Sequence, residues 1–282
     1  MQKSARTAVL AAGLCVLLAG VAPGQSTKEF KYNVSADSNL NVTNPFGAVV
    51  IKPATGHQIV ISATAKSNKV EVDAAQVENR VEVRSHMLQQ ASAADCTVDY
   101  EILAPADANV TVRAGTGPIR VERLAGDLTL NGEAASIDVS QVQNAHVHVR
   151  AVGGPVTLSN ITGGHVEVTA LGGGVTLTNV SGPKVYVSST KGTIRYDGDP
   201  SGGGEYQLIN GTGNIEVTLP ASASVDLTAR SATGSVDNQF PMVAKQHTAF
   251  DSSPRSFAGM SASGSSSVHL SSLSGTIRVR KR

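Results

Sequence analysis

Few side chains in this sequence have types and spacing suited to chemistry, and the densest group is a quartet: His146, His148, His165 and Glu167. In an extended chain alternate residues share a face, so His146 and His148 stand together outside if Val147 and Val149 point inward. His165 and Glu167 repeat that placement around Val166, 19 residues later. Same-face neighbours along a strand lie about 6.8 Å apart and stacked ones about 4.8 Å, close enough for the four to converge on a divalent metal such as zinc. The competing reading is four polar side chains on a solvated wall, with no metal.

Other candidates are weaker, and no catalytic residue and no cofactor-binding residue is assigned. Glycosidic cleavage needs two carboxyl groups at a set separation. Here Asp127 aligns with His146 and His165, Asp138 aligns with Thr157 and Thr176, and Glu167 and Glu205 fall two repeats apart. Cys96 has no recognisable histidine partner and reads as a buried thiol. The serines of 261–267 lack the nucleophile-elbow pattern of hydrolases. The glycine clusters lead into strands, whereas a phosphate cradle needs a following helix.

The elements that must position these residues come from a repeat. The segments GPIRV (117–121), ASIDV (135–139), GPVTL (154–158), GGVTL (173–177), GTIRY (192–196) and GNIEV (213–217) share a small residue followed by alternating apolar and polar positions. Their first apolar residues, Ile119, Ile137, Val156, Val175, Ile194 and Ile215, are spaced 18, 19, 19, 19 and 21. A second series, Leu128, Val147, Val166, Val185 and Tyr206, is spaced 19, 19, 19 and 21. Two series in phase, sharing one late insertion, predict two strands per coil with one buried face each. A coil this short cannot bury its own apolar face, so coils must stack. The fold class expected is all-β: a right-handed parallel β-solenoid with roughly 19-residue coils, capped at both ends by less regular strands. Gly153-Gly154, Gly163-Gly164, Gly172-Gly173-Gly174 and Gly182-Pro183 are its corners. Asn160 and Asn179, also 19 apart, should stack in a turn; the N-x-[ST] triplets at Asn33, Asn41, Asn109, Asn160, Asn179 and Asn210 are read as turn chemistry.

Lys3 and Arg6 precede an apolar run, Ala8 to Ala22, that meets Ala22-Pro23-Gly24. This is the pattern of a cleaved secretory signal peptide over 1–24, and the run falls short of the ~20 residues that span a bilayer. The remaining chain divides into an N-terminal strand and capping region (25–104), Gly-rich solenoid repeats (105–219), and C-terminal coils with a capping segment (220–282). Residues 86–94 are expected as a polar loop or short helix, 253–267 as an irregular Ser/Gly-rich stretch. The basic end, Arg278, Arg280, Lys281 and Arg282, reads as a solvated tail. With Cys15 in the leader, Cys96 stands alone and no intrachain disulfide can form. A net charge of +1, 16% charged residues, 4% aromatics and no tryptophan argue against nucleic acid as a partner.

The stretches APADANVTVRAGTGPIRVERLAGDLTL (104–130), the glycine-spaced repeats to Leu219 and SLSGTIRVRKR (272–282) resemble the DUF4097 adhesin family of β-strand-repeat proteins, over about residues 40–282. The resemblance implies the repeat architecture and an adhesin role, and brings no catalytic motif. The sequence departs from it at Glu133-Ala134-Ala135-Ser136, where a glycine-rich corner is usual. The function expected is an exported, non-enzymatic module of the periplasm, outer surface or medium, whose Thr-, Ser- and Asn-rich wall meets a protein or glycan. A structural or envelope-stress accessory without soluble ligand is the alternative, followed by a polysaccharide-active enzyme. After leader cleavage no membrane-spanning segment is expected.

Overall fold

The computed structural model describes residues 26–88, 92–200, 202–245 and 254–282; the leader lies outside the described residues. The N-terminal strands are β1 (Ser26–Asn33), β2 (Asn39–Phe46), β3 (Val49–Pro53), β4 (Gln58–Ala65), β5 (Val70–Val77), β6 (Arg80–Met87) and β7 (Val98–Ala104). The repeat region supplies β8 (Asn109–Thr116), β9 (Ile119–Glu122), β10 (Leu128–Gly132), β11 (Ile137–Gln143), β12 (Val147–Ala151) and β13 (Val156–Thr162). It continues through β14 (His165–Ala170), β15 (Val175–Ser181), β16 (Lys184–Ser189), β17 (Ile194–Asp197), β18 (Gly204–Asn210) and β19 (Ile215–Leu219). Beyond it lie β20 (Val225–Ser231), β21 (Val236–Asn238), β22 (Val243–Ala244), β23 (Ser256–Met260), β24 (Ser266–Ser272) and β25 (Ile277–Lys281).

These strands form two sheets. Sheet A runs β1-β4-β7-β3-β9-β11-β13-β15-β17-β19-β25-β21, and sheet B runs β22-β23-β20-β24-β18-β16-β14-β12-β10-β8-β2-β6-β5. From β7 to β21 the chain alternates between the sheets, one strand in each per coil, so the protein is a β-solenoid. Ile119, Ile137, Val156, Val175, Ile194 and Ile215 pair in one continuous register on sheet A. Leu128, Val147, Val166, Val185 and Tyr206 do the same on sheet B. All are buried, each stacked on its equivalent in the next coil. A fully buried aliphatic side chain contributes about 1.5–3 kcal/mol, and the columns repeat that gain at every rung.

A third column shows why the alternation slips by one. Arg123, Gln141, Asn160 and Asn179 all have φ between 52° and 58°. On sheet A, Ser140 pairs with Ser159 and Ser159 with Thr178, the next residue is skipped, and pairing resumes between Val142 and Ile161 and between Ile161 and Val180. The left-handed residue is a bulge that turns the strand and sends Leu124, Val142, Ile161 and Val180 into the core. Asn179 Nδ2 donates to Asn160 Oδ1 at 3.2 Å, the predicted asparagine stack. Two coils on, Tyr196 and Tyr206 meet edge to face at 5.8 Å, where the two-residue insertion interrupts the pattern. The Tyr196 hydroxyl donates to the Val180 carbonyl at 3.0 Å.

The corners are held by close backbone approach. A Cβ at Gly154, Gly173 or Gly192 would lie 1.9–2.0 Å from the carbonyl oxygen of the coil beneath. The departure at 133–136 is resolved by exchange. Ala135 takes the glycine position of that corner, while Gly132 stands where the next coils carry Ala151 and Ala170, its Cβ site 3.2 Å from Ala135 Cβ.

Both ends break chain order. The first coil, β2 and β3, lies between the β6/β7 coil and the β8/β9 coil, and the last coil, β24 and β25, lies between β18/β19 and β20/β21. The basic end is therefore not a tail. Arg278, Arg280 and Lys281 belong to an interior strand of sheet A, and Arg282 pairs with Asp197. Its Ile277-Val279 pattern and its corner Gly275, packed on Gly213, fit it for coils on both sides. Outside these coils the pairing turns antiparallel: β1, β4 and β7 on sheet A, β5 and β6, and β20, β23 and β22 on sheet B. Strand β6 runs through Met87 and a 3-10 turn covers Ala93–Cys96, so the expected polar loop begins later than residue 86. Strand β23 likewise crosses the stretch expected to be irregular.

Candidate functional site

The outward face of sheet B carries the sequence quartet. Register places Asp127, His146, His165, Lys184 and Glu205 in one column, and Thr129, His148, Glu167 and Tyr186 in the next. The four side chains form two pairs. The imidazoles of His146 and His165 stack at 4.9 Å with 13° between planes. His148 Nδ1 lies 3.4 Å from Glu167 Oε2. Asp127 accepts the His146 backbone N–H at 2.8 Å, and its other oxygen lies 3.6 Å from His146 Nδ1. Among the described residues, no three His, Cys, Asp or Glu side chains are brought together as a metal-holding group.

A different part of the same face forms a cavity. A third outward column reads Arg84, Thr43, Arg113, Asn131, Arg150 and Thr169 on β6, β2, β8, β10, β12 and β14. A cavity of about 590 Å³ opens over it, between Thr43, Arg113, Asn131 and Arg150 and the corner residues Pro45, Phe46, Glu133 and Val152. A second, of about 300 Å³, shares Thr43 and Arg113 with the first and continues to Arg84 and Asp73. The two make one groove running along the column. Arg84 is engaged by Asp73 at 3.6 Å. Arg113 and Arg150 are exposed and make no ion pair or side-chain hydrogen bond among the described residues.

The family described as Toastrack DUF4097 matches residues 38–280 of this chain. The chain belongs to that family. Two solved structures are similar to this Toastrack chain. One is titled a putative cell adhesion protein from Clostridium sporogenes ATCC 15579, at 14% identity, covering 91% of this chain and 100% of its own, with a TM-score of 0.31. The other is titled a putative adhesin from Bacteroides fragilis NCTC 9343, at 11% identity, covering 93% and 100%, with a TM-score of 0.48. Neither score reaches 0.5, so neither structure bears on what this Toastrack chain does. No curated protein matches it.

The remaining reactive groups of the Toastrack chain are placed as follows. In the parallel part of both sheets, no two carboxylates of the described residues stand on neighbouring rungs of one outward column; Glu216 lies between Arg195 (3.0 Å) and Arg278 (3.9 Å). Cys96 is a free, buried thiol. Of the serines, Ser261 is buried and donates to the Ala223 carbonyl at 2.8 Å, and Ser266 is fully buried and donates to the Pro200 carbonyl. Ser267 Oγ lies 2.9 Å from His269 Nε2, a pair the sequence reading passed over although i and i+2 share a strand face. Two carboxylates lie next in register to Ser267: Asp226, held by Lys245 at 2.6 Å, and Glu205 on the other side. The sequence reading also missed the cluster at the β5–β6 end, where His86 lies between Glu71 (3.6 Å) and Asp73 (3.4 Å). The arginine column was missed too. Its members come from strands far apart in the chain, and of its three arginines only Arg113 and Arg150 lie within the repeat.

Proposed function

We propose that this Toastrack chain is an exported, non-enzymatic interaction module of the adhesin type, whose working surface is the outward wall of sheet B. The observation that carries this reading is the groove. Its larger cavity has room for a ligand and is lined by two unengaged arginines, apolar rim residues and one carboxylate, Glu133. Such a surface can hold a partner and has little to offer a bond-breaking step, which needs an acid and a base at defined separation. Export is supported by the leader-like residues 1–24, and no helix among the described residues is long and apolar enough to cross a membrane.

Two measurements test the proposal. Fused to alkaline phosphatase, which is active only where its disulfides can form, residues 1–40 should give activity outside the cytoplasm; an inactive fusion retained in the cytoplasm would remove the export half. On an array of neutral and acidic glycans the full chain should bind without releasing reducing sugar. Released sugar would replace the adhesin reading with a polysaccharide-active enzyme, and a silent array together with a silent protein pull-down would favour a structural accessory.

A further inference from the structure

We infer that the groove on sheet B is a binding site for a linear polysaccharide bearing a carboxylate on every second sugar, with Arg113 and Arg150 receiving successive carboxylates. This assignment rests on the interaction-module reading and names its ligand. The first support is spacing. Arg84, Arg113 and Arg150 stand on every second rung of one column, separated by Thr43 and Asn131. Rungs about 4.8 Å apart put the Cα atoms of successive arginines about 9.6 Å apart, close to the length of two linked pyranose rings. A peptide laid along the same line presents same-face side chains about 6.8 Å apart, which matches neither one rung nor two.

Charge gives the second support. Each guanidinium offers a planar fork of donors suited to a carboxylate, and Arg113 and Arg150 have no anion on them among the described residues. Acid limits the site at one end and beside its middle rung, between the two free arginines. Asp73 already occupies Arg84 beyond Arg113, and Glu133 lines the corner side of the cavity. A polymer charged at every sugar would bring carboxylates toward Glu133, whereas alternating charge leaves a neutral ring there. The third support is the rim. Pro45, Phe46 and Val152 offer apolar contact to the C–H faces of sugar rings, while Thr43 and Asn131 offer hydrogen bonds to hydroxyls between the charged positions.

The test is binding of the full chain to a size-defined hyaluronan oligosaccharide, in which acidic and neutral sugars alternate. Carboxyl-reduced hyaluronan, polygalacturonate and poly-L-glutamate serve as comparison probes. Wild type should bind hyaluronan in preference to all three. The double variant Arg113→Gln/Arg150→Gln should weaken that binding by about tenfold or more, while Arg120→Gln on sheet A leaves it unchanged. All three substituted positions are exposed, and an unaltered melting midpoint confirms that each variant folds. Equal affinity in the double variant, equal binding of the carboxyl-reduced polymer, or stronger binding of polygalacturonate or poly-L-glutamate would overturn the assignment. Silence on hyaluronan with binding to a neutral glycan or a protein would overturn it too, and would leave the broader interaction-module reading standing.

Discussion

The middle of the solenoid and its two ends solve the same corner differently. At the end of each sheet B strand an inward position faces the glycine corner of its coil. Through the middle this position is Ala114, Gly132, Ala151 and Ala170, and successive coils follow chain order. Toward the C-terminal end it becomes Ser189, Asn210, Ser272 and Ser231, and toward the N-terminal end Asn44, beside Ser85. These polar side chains are buried and spend their hydrogen bonds on the corners. Asn210 donates to the carbonyls of Gly192 (2.7 Å) and Asn214 (3.2 Å) and accepts from Gly213 N–H (2.9 Å). Ser231 donates to Gly275 O at 2.7 Å, and Asn44 donates to Val98 O at 2.8 Å. Where a period of 18 or 19 residues keeps each corner over the last, the backbone ladder and a methyl group or a hydrogen suffice. Insertions and out-of-order coils disturb that alignment, and side-chain hydrogen bonds then hold the turn.

This contrast can be broken at graded strength. The largest effect is expected from Gly173→Ala in the middle, since the added Cβ would meet the Gly154 carbonyl oxygen at 2.0 Å. Urea unfolding should show a loss on the order of 3 kcal/mol. Gly202→Ala, with nothing within 4 Å of the new carbon, should be nearly neutral. Next, Asn210→Ala leaves two carbonyls and one N–H of an end corner without their side-chain partner, and should lower stability by about 2 kcal/mol in the same assay. The smallest change is expected at the boundary between the regimes. Ser189→Ala removes one hydrogen bond of 3.2 Å to Gly192 O and restores the residue that the middle coils use, so a loss of no more than about 1 kcal/mol should result. If Ser189→Ala proved as damaging as Asn210→Ala, the middle and the ends would not differ in the way the hydrogen bonds suggest.

The candidate site was legible only in part. Val147, Val149, Val166 and Val168 fixed which way His146, His148, His165 and Glu167 face, because alternation is local and the register follows from the period. How those four side chains share their space was not legible. The stacking of His146 on His165 and the pairing of His148 with Glu167 depend on rotamers that spacing leaves open. The arginine column lay further out of reach, because Arg84 and Thr43 join it through strands that break chain order.

By itself, the sequence determined the coil: its length, its two inward faces, its glycine corners and the stacking of Asn160 and Asn179. Those features depend on backbone sterics and on burial within one repeat and its immediate neighbour. Only the tertiary structure decided the order in which coils stack, and hence the groove. Any coil with the right columns can dock on either neighbour, and loop closure becomes only slowly more costly with length. The choice to place Ile277 and Val279 inside the stack, and Leu40 and Val42 beside Val110 and Val112, was therefore made by packing across the whole molecule.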